Sequence, residues 1–563
     1  MSADSLATVR DFLGVELPLG SALAEARAAA LATGLKGDLT PTSLVSFSST
    51  GVVALIGPLP SALETAEALG ELPGCVVVAT DGGTPGATET REVNGRSVPI
   101  VFGRPSTIEG FLGKFSITIA REGQDIDLAK SMALPTGYID VVLDLSREPV
   151  LTYEVLPAGY FAPKGDNDAM LAACESVANM RGQFEKPRYV MYNPDICAHG
   201  ARGVAGCRRC LDVCPADALH SIGEKISVET HLCQGMGSCA SACPTGALSY
   251  AYPNRADQLN RLRRTIAHFR EHAKLAPTLL FYGGDDGPQE ITACLSQAPE
   301  SVIPWRLEEL GSVGPELWLS AIAYGARAII LAKTQNTPAS VSNEIAREIQ
   351  QVNALLDGLG WSDRLITMMD MNEGRPLPLG AQSADDQLKT MRVATYAGLE
   401  EKRAVLRASI DHLINEADNV PAVIQLPKGT PLGEVQVDKS KCTLCMGCVA
   451  VCPAGAILDN KERPCLSFIE WNCVQCGLCE NTCPEKAISL QARLLTDSNA
   501  RMGRRVLNEE EPFKCLDCGK PFTTQSMISR MEEKLSGHRM FQGEGLRKLK
   551  LCEDCRVKEM FKA

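Results

Sequence analysis

The chain has 563 residues, of which 45% are apolar and 22% charged, a composition typical of a globular protein with several domains and not of a disordered one. Its net charge of −12 argues against a nucleic-acid-binding protein. No apolar run approaches the roughly 20 residues that span a bilayer, and the first residues lack the basic start of a secretory signal. We therefore expect a cytoplasmic protein, whose cysteine-rich motifs bind metals instead of forming disulfides.

The first part of the chain predicts helix followed by β structure. Residues 1–40 are expected to be helical, since SALAEARAAALATG is rich in alanine and ends at a glycine. Residues 41–186 are expected to form a β-rich mixed scaffold domain, because short β-branched runs alternate there with turn sequences. Asp166 should cap a helix that leads out of this domain. The predicted strands are Ser43–Ser48, Val52–Ile56, Cys75–Thr80, Ser97–Phe102, Phe115–Ala120 and Ile139–Leu145.

The segment 187–253 contains two cysteine runs that each end in Cys-Pro. They are Cys197-x9-Cys207-x2-Cys210-x3-Cys214-Pro215 and Cys233-x5-Cys239-x3-Cys243-Pro244. In the bacterial ferredoxin spacing Cx2Cx2Cx3CP, three cysteines of a run bind one iron–sulfur cluster and the fourth binds the cluster of the other run. We expect that fourth cysteine to begin a helix, because the first turn of a helix tolerates proline. The segment is therefore predicted to be a modified double-cluster ferredoxin module.

The crossover rule divides the seven cysteines of this module into two sets. The first set is predicted to hold a 4Fe-4S cluster beneath the glycine-rich loop AHGARGVAG, and it comprises Cys197, Cys207, Cys210 and Cys243. The second set has only three members, which are Cys233, Cys239 and Cys214. Met236 stands where a fourth cysteine would be expected, and because a thioether is a poor substitute for a thiolate, we expect it to pack.

Because one cysteine is missing, three interpretations of what the second set binds remain. A module that lacks this cysteine resembles the seven-iron ferredoxins, and this resemblance implies a 3Fe-4S cluster at the three-cysteine set. A 4Fe-4S cluster with an open or non-cysteine ligand is the second interpretation, and an empty site is the third. His199 and His231 lie beside ligand cysteines, but we expect them to form hydrogen bonds or face solvent.

Residues 254–420 are predicted to form a central α/β domain. In its first helix, Leu259, Leu262 and Ile266 share one face, and the arginine-rich opposite face is interpreted as solvated. The run IPWRLEELGSVGPELWLSAIAYGARAIILA resembles the small delta subunit that links hydrogenases to heterodisulfide reductase. Trp305 and Gly325 lie where that family's cysteines would be needed, so the resemblance implies a fold for packing against partners, without a cluster of its own.

Residues 435–492 contain the complete double-cluster motif, predicted to hold two 4Fe-4S clusters. Four zinc knuckles would require the twofold repeat and both Cys-Pro ends to be a coincidence. One cluster is assigned to Cys442, Cys445, Cys448 and Cys483. The other is assigned to Cys473, Cys476, Cys479 and Cys452.

Residues 505–563 are predicted to be a zinc-ribbon-like segment. Two Cx2C pairs without a Cys-Pro ending are typical of a structural zinc site, and mononuclear iron in a rubredoxin-like site is the alternative. The four ligands would be Cys515, Cys518, Cys552 and Cys555. A helix over Gln525–Leu535 should lie between the two pairs.

The sequence as a whole predicts an α+β multidomain electron-transfer protein without a catalytic constellation of its own. No nicotinamide or flavin fingerprint, nucleophile elbow or HExxH motif is present, so an enzymatic activity of the chain itself is not predicted. A reductase with its own substrate would need an open-site cluster in the first module.

The region that leads into and includes the first cysteine run indicates, by resemblance, the redox system to which the chain belongs. The stretches VVLDLSREPVLTYEVLPAGYFAPKGDN and EKPRYVMYNPDICAHGARGVAGCRRCLDVCPADAL resemble iron–sulfur proteins associated with bacterial formate dehydrogenases. The resemblance implies that a molybdenum or tungsten formate dehydrogenase is the redox partner. The alternative is a non-catalytic assembly or redox-regulatory factor for such an enzyme.

Overall fold

The computed structural model describes residues 3–70, 72–120, 125–371, 377, 391–460, 462–542 and 544–561, so part of the segment 254–420 lies outside the described residues. None of the described helices combines the length and apolarity needed to cross a membrane.

The region that follows the N-terminal helices is built around a six-stranded sheet. All neighbouring strands in it run parallel except for one hairpin at its edge. Val53 and Leu55 pack into one core and Ala54 and Ile56 into another, so both faces of the sheet are covered, as is typical of parallel sheets. The order across the sheet is Tyr160–Phe161, Val141–Asp144, Val52–Gly57, Gly74–Ala79, Arg96–Phe102 and Thr88–Val93.

All six strands predicted for this region are present within two residues of their expected bounds. Four of them lie in the six-stranded sheet, and the sequence did not indicate their parallel pairing. The strands Leu44–Ser49 and Ser116–Ile119 pair antiparallel with strands outside that sheet. Asp166 caps the following helix as predicted, since its side chain accepts from the Ala169 amide. The other elements are the strands Leu44–Ser49, Pro105–Glu109, Ser116–Ile119, Ile126–Asp127 and Gly182–Pro187, and the helices Leu59–Ala68, Leu128–Ser131 and Asn167–Asn179.

A second, four-stranded parallel sheet forms the centre of the α/β region. Its order is Val302–Arg306, Thr278–Tyr282, Ala328–Lys333 and Ile366–Asp370. The helices of this region are Arg255–Ala273, Gly287–Gln297, Pro315–Ala323, Ala339–Gly358 and Lys402–Asn415.

The predicted N-terminal helical segment forms two helices, Ala3–Leu13 and Ala22–Gly34, which pack on this α/β core. The Tyr282 hydroxyl donates to the Leu13 carbonyl, which fixes the first helix to a central strand. These helices are therefore part of the central hydrophobic core.

The prediction of a solvated basic face on the Arg255–Ala273 helix is wrong for three of its arginines. Arg264 donates to the Gly34 carbonyl at 2.9 Å, at the end of the second N-terminal helix. Carbonyls at the C-terminal end of a helix lack intrahelical partners, so an arginine from the helix packed beside it can satisfy them. The other two such contacts are Arg261 to Gly37 and Arg270 to Gly325.

The two cysteine-rich segments each consist of short strands and one-turn helices. The first has the strands Val190–Tyr192, Gly200–Ala201, Val204–Ala205, Leu219–Ile222, Lys225–Val228 and Leu248–Tyr250, and the helices Arg209–Asp212 and Ser238–Ala242. The second has the strands Val423–Gln425, Gly433–Val437, Ile457–Asp459, Cys465–Phe468 and Ile488–Leu495, and the helices Gly447–Ala450 and Leu478–Thr482.

The expectation that the Cys-Pro cysteines begin helices is wrong. Cys243 and Cys483 are the residues at which the helices Ser238–Ala242 and Leu478–Thr482 end. The following proline disfavours helical backbone at the residue before it, which explains why these two helices end there. The helices before Cys214 and Cys452 end two residues earlier, at Asp212 and Ala450.

The C-terminal part adds a strand to the second cysteine-rich segment and then a small helical unit. The predicted helix Gln525–Leu535 is present with the expected bounds. The remaining elements are the strands Arg505–Glu509, Pro512–Lys514 and Pro521–Thr524, and the helices Ser498–Met502, Glu544–Leu549 and Glu553–Met560.

Candidate metal centres

Three cavities are lined by the three four-cysteine sets that the crossover rule predicts. One cavity is lined by Cys197, Cys207, Cys210 and Cys243. Another is lined by Cys452, Cys473, Cys476 and Cys479. A third is lined by Cys442, Cys445, Cys448 and Cys483. In each cavity three cysteines come from one run and the fourth from the other, which is the arrangement of a double-cluster ferredoxin.

The thiols of these sets crowd one another in a desolvated environment. Burial raises the pKa of Cys210 to about 12, and Cys243, Cys207 and Cys197 add to the shift. Burial and the neighbouring Cys442 and Cys445 likewise raise the pKa of Cys448 to about 12. Grouped thiols cannot all ionise unless positive charge offsets them, so the donor set fits an iron–sulfur cluster.

Backbone amides point at the sulfur of each Cys-Pro cysteine. Amides four residues later donate to the sulfurs of Cys214, Cys452 and Cys483, at 3.4, 3.3 and 3.3 Å. The sulfur of Cys243 accepts from the Leu248 amide at 3.4 Å. Such hydrogen bonds stabilise a thiolate and are one determinant of cluster potential.

The incomplete set of three cysteines is also brought together. Burial raises the pKa of Cys239, and its neighbours Cys233 and Cys214 are the next largest causes. The side chain of Met236 packs against the hydrophobic core of the α/β region, as predicted. The missing ligand position is therefore used for packing between two parts of the chain.

The loop that carries Met236 lies directly against a loop of the α/β region. A Cβ atom on Gly311 would come within 2.5 Å of the Met236 carbonyl oxygen and of the Ser238 hydroxyl. Lys402 also contacts the Ser238–Ala242 helix, since its Nζ donates to the Ala240 carbonyl at 2.9 Å. Sequence reasoning did not find Lys402, because this contact joins residues 162 positions apart.

Both histidines beside the ligand cysteines form hydrogen bonds, as predicted. In His199, Nδ1 lies 2.9 Å from the Cys207 carbonyl oxygen, and Nε2 lies 2.7 Å from the Ser221 hydroxyl. The Nδ1 atom of His231 lies 3.0 Å from a Glu229 carboxylate oxygen. The His231 ring also stacks on Phe111, with ring centroids 4.2 Å apart.

The glycine-rich loop after Cys197 forms a contact between the two cysteine-rich segments. Leu478, only 1% exposed, packs with Ala198 and Val451 in a small apolar cluster. The Asn481 side chain donates to the Ala205 carbonyl in that loop at 2.9 Å. The inserted loop is thus the surface on which the second segment rests.

The four cysteine sets follow one another in the order Cys233, Cys197, Cys473 and Cys442, each set being named by its first cysteine. Cys448 is among the thiols that raise the pKa of Cys479, which links the two sets of the second segment. Cys210 is among the thiols that raise the pKa of Cys239, which links the two sets of the first segment. Cys207 contributes to raising the pKa of Cys476 to about 12, after burial and the nearer Cys473, which links the two segments.

The C-terminal cysteines Cys515, Cys518, Cys552 and Cys555 offer sulfur atoms that all lie within 4.8 Å of one another. The sulfurs of Cys518 and Cys552 are 3.6 Å apart. A tetrahedral zinc site with four thiolates at about 2.3 Å places its sulfurs about 3.8 Å apart. The geometry therefore fits one mononuclear tetrahedral ion.

Comparison with known proteins assigns the two cysteine-rich segments. Residues 189–244 and 434–484 each match the model of the 4Fe-4S dicluster domain. These two segments are 4Fe-4S dicluster domains. Together the dicluster domains cover less than half of the chain, so the match describes them and not the whole protein.

Three curated relatives are ferredoxin-type or multisubunit redox proteins. Hydrogenase-4 component A of Escherichia coli is 33% identical over 85 residues, which are 14% of this chain and 39% of the relative. Pyruvate synthase subunit PorD of Methanothermobacter marburgensis is 39% identical over 56 residues, covering 10% of this chain and 62% of the relative. Ferredoxin-type protein NapH of Haemophilus influenzae is 33% identical over 61 residues, which are 10% of this chain and 21% of the relative. The chain spans less than two thirds of each relative.

Proposed function

We propose that the chain is an electron-transfer subunit in which the four cysteine sets hold iron–sulfur clusters in series between a donor and an acceptor. The observation that carries this proposal is the adjacency of the sets, within each dicluster domain and across the apolar cluster of Ala198, Val451 and Leu478, against which Cys207 and Cys476 both pack. Iron–sulfur clusters accept and release single electrons at potentials set by charge, hydrogen bonds and exposure.

In this proposal the protein's residues supply ligands and spacing. The complete sets hold 4Fe-4S clusters, while Cys214, Cys233 and Cys239 hold a 3Fe-4S cluster because Met236 is turned to packing. Leu478 and the inserted loop keep the two domains in contact. The Cys515 quartet holds zinc as a structural ion, since four thiolates leave no open coordination position.

The partner in this proposal is a larger oxidoreductase of the cytoplasm. Support comes from the relatives, whose names describe a component of a hydrogenase and a subunit of pyruvate synthase. Within that class we propose a formate dehydrogenase, on the sequence resemblance of the region that leads into the first dicluster domain.

Rapid mixing tests the proposal. Protein reduced anaerobically by a stoichiometric amount of dithionite and mixed with an excess of a one-electron oxidant of higher potential than the clusters should be reoxidised completely and quickly. Leu478→Ala, which removes packing between the domains, should slow this reaction without changing the iron content, whereas Leu516→Ala at a 57% exposed position should not. Clusters that fail to turn over, in a chain that binds stably to immature oxidoreductase, would instead support an assembly factor.

A further inference from the structure

A lysine just before the first dicluster domain reaches the backbone of the three-cysteine set. Lys186 lies in the strand Gly182–Pro187, outside the domain. Its Nζ donates to the carbonyl oxygens of His231 and Cys233, both at 2.7 Å. One of these carbonyls belongs to a ligand cysteine, and the other lies two residues before it.

An arginine makes the equivalent contact in the second dicluster domain. Arg403 lies in the helix Lys402–Asn415, and its Nη2 donates to the carbonyls of Trp471 and Cys473, at 3.0 and 3.2 Å. Cys473 opens the second cysteine run of its domain, as Cys233 does in the first, and again the other carbonyl lies two residues earlier. Two unrelated elements thus place a cation on the same pair of backbone positions.

Both cations are partly buried, and neither forms an ion pair with a carboxylate among the described residues. The charged groups that act on Arg403 are Arg407 and Cys473. Those that act on Lys186 are Cys233 and then Glu229, whose carboxylate is bound by His231. A desolvated cation without an ion pair is costly, so the thiolate-bound cluster is the negative charge that these positions are suited to face.

We propose that Lys186 and Arg403 are positioning residues that raise the reduction potentials of the clusters held by the Cys233 and Cys473 sets. This inference rests on the proposed function. Taking up one electron adds one negative charge to a thiolate-bound cluster, and a nearby cation stabilises that reduced state. Among the described residues, no lysine or arginine side chain donates to the carbonyls of Cys197 or Cys442. The Cys233 and Cys473 sets therefore have a stabilising cation that the Cys197 and Cys442 sets lack at the equivalent carbonyl.

Potentiometric titration with dithionite, followed by EPR, tests this on the full chain. Arg403→Gln should make reduction of the cluster held by the Cys473 set tenfold less favourable, which lowers its potential by about 59 mV for one electron. The potentials of the other three clusters should not change. Arg403→Lys keeps the charge and should keep the potential. Lys186→Gln should lower the potential of the three-cysteine cluster in the same way.

Lys225→Gln is the matched control, because Lys225 also donates to a carbonyl near a ligand cysteine, that of Pro194, but from an exposed position. It should leave all potentials unchanged. Iron content per chain and the thermal midpoint show whether each variant folds. If Arg403→Gln loses iron, the potential of the three-cysteine cluster in Lys186→Gln becomes the test of the inference. Unchanged potentials in iron-replete variants would overturn the inference, as would an equal shift in Arg403→Lys. Wild-type protein without reducible clusters would refute the proposed function instead.

Discussion

At the scale of single residues, Met236 determines how many thiolates the incomplete set presents. It occupies the position that Cys476 has in the second dicluster domain, and its thioether packs against the α/β core. Met236→Cys should therefore add one iron per chain and abolish an oxidised three-iron EPR signal. The exposed Met502→Cys adds a thiol elsewhere and should change neither property. An unchanged iron count in Met236→Cys would exclude this position as the missing ligand.

Glu309 gives the protein a predictable pH dependence. Burial, followed by the repulsion of Asp285, Glu308 and Asp286, raises the pKa of this carboxyl to about 8. The folded state therefore holds the Glu309 proton more tightly than the unfolded state does, and stability is lost as pH rises toward 8. Glu309→Gln should raise the thermal midpoint at pH 9 relative to wild type and change it little at pH 5.

The exposed Glu64→Gln is the control for this substitution. It should alter the thermal midpoint equally little at both pH values. The same gain in stability from Glu309→Gln at pH 5 and pH 9 would show that the charge of the carboxylate is not the cause.

At the scale of elements, the loop around Gly311 supports the three-cysteine set. A methyl group at Gly311 would overlap the Met236 carbonyl and the Ser238 hydroxyl, both at 2.5 Å. Gly311→Ala should therefore destabilise the chain by about 1–3 kcal/mol and release iron from this set alone. Gly537→Ala is a matched control, since a Cβ atom there meets nothing within 4 Å. Thermal unfolding and iron analysis measure both effects, and full iron retention in Gly311→Ala would contradict the supporting role of the loop.

The C-terminal quartet is expected to act independently of the iron sites. Cys518→Ser should lose one zinc per chain while the iron content and the EPR spectra stay those of the wild type. Cys174→Ser is a control, because Cys174 lies in the helix Asn167–Asn179, outside the dicluster domains and the C-terminal quartet. Metal analysis measures both, and iron instead of zinc in the wild-type site would identify the rubredoxin-like alternative.

At the scale of the whole molecule, the cysteine groupings could be predicted because short covalent spacing restricts which thiols can meet. The six N-terminal strands were also predictable from their β-branched runs. The parallel pairing of the four strands that enter the six-stranded sheet was not predictable, since it depends on which segments cover the two faces. The contacts of Arg403 with Cys473 and of Lys186 with Cys233 join residues 70 and 47 positions apart, and no local pattern indicates them.

The packing of the domains also explains why the first dicluster domain departs from the regular motif. Its inserted loop meets the second dicluster domain through Ala198 and Leu478, and its Met236 meets the α/β core. Both departures serve contacts between parts of the chain. The motif alone shows only an insertion and a missing ligand. In the fold, the loop joins the two dicluster domains, and Met236 joins the first of them to the α/β core.

Counting the electrons that one chain takes up tests the central claim most directly. In a coulometric titration of anaerobically purified protein, four cluster sites should accept about four electrons per chain in one-electron steps, with about fifteen iron atoms present. The uptake should reverse completely on reoxidation. Uptake of two electrons or fewer at full iron content, or uptake that does not reverse, would contradict the assignment of this chain as a four-cluster electron-transfer protein.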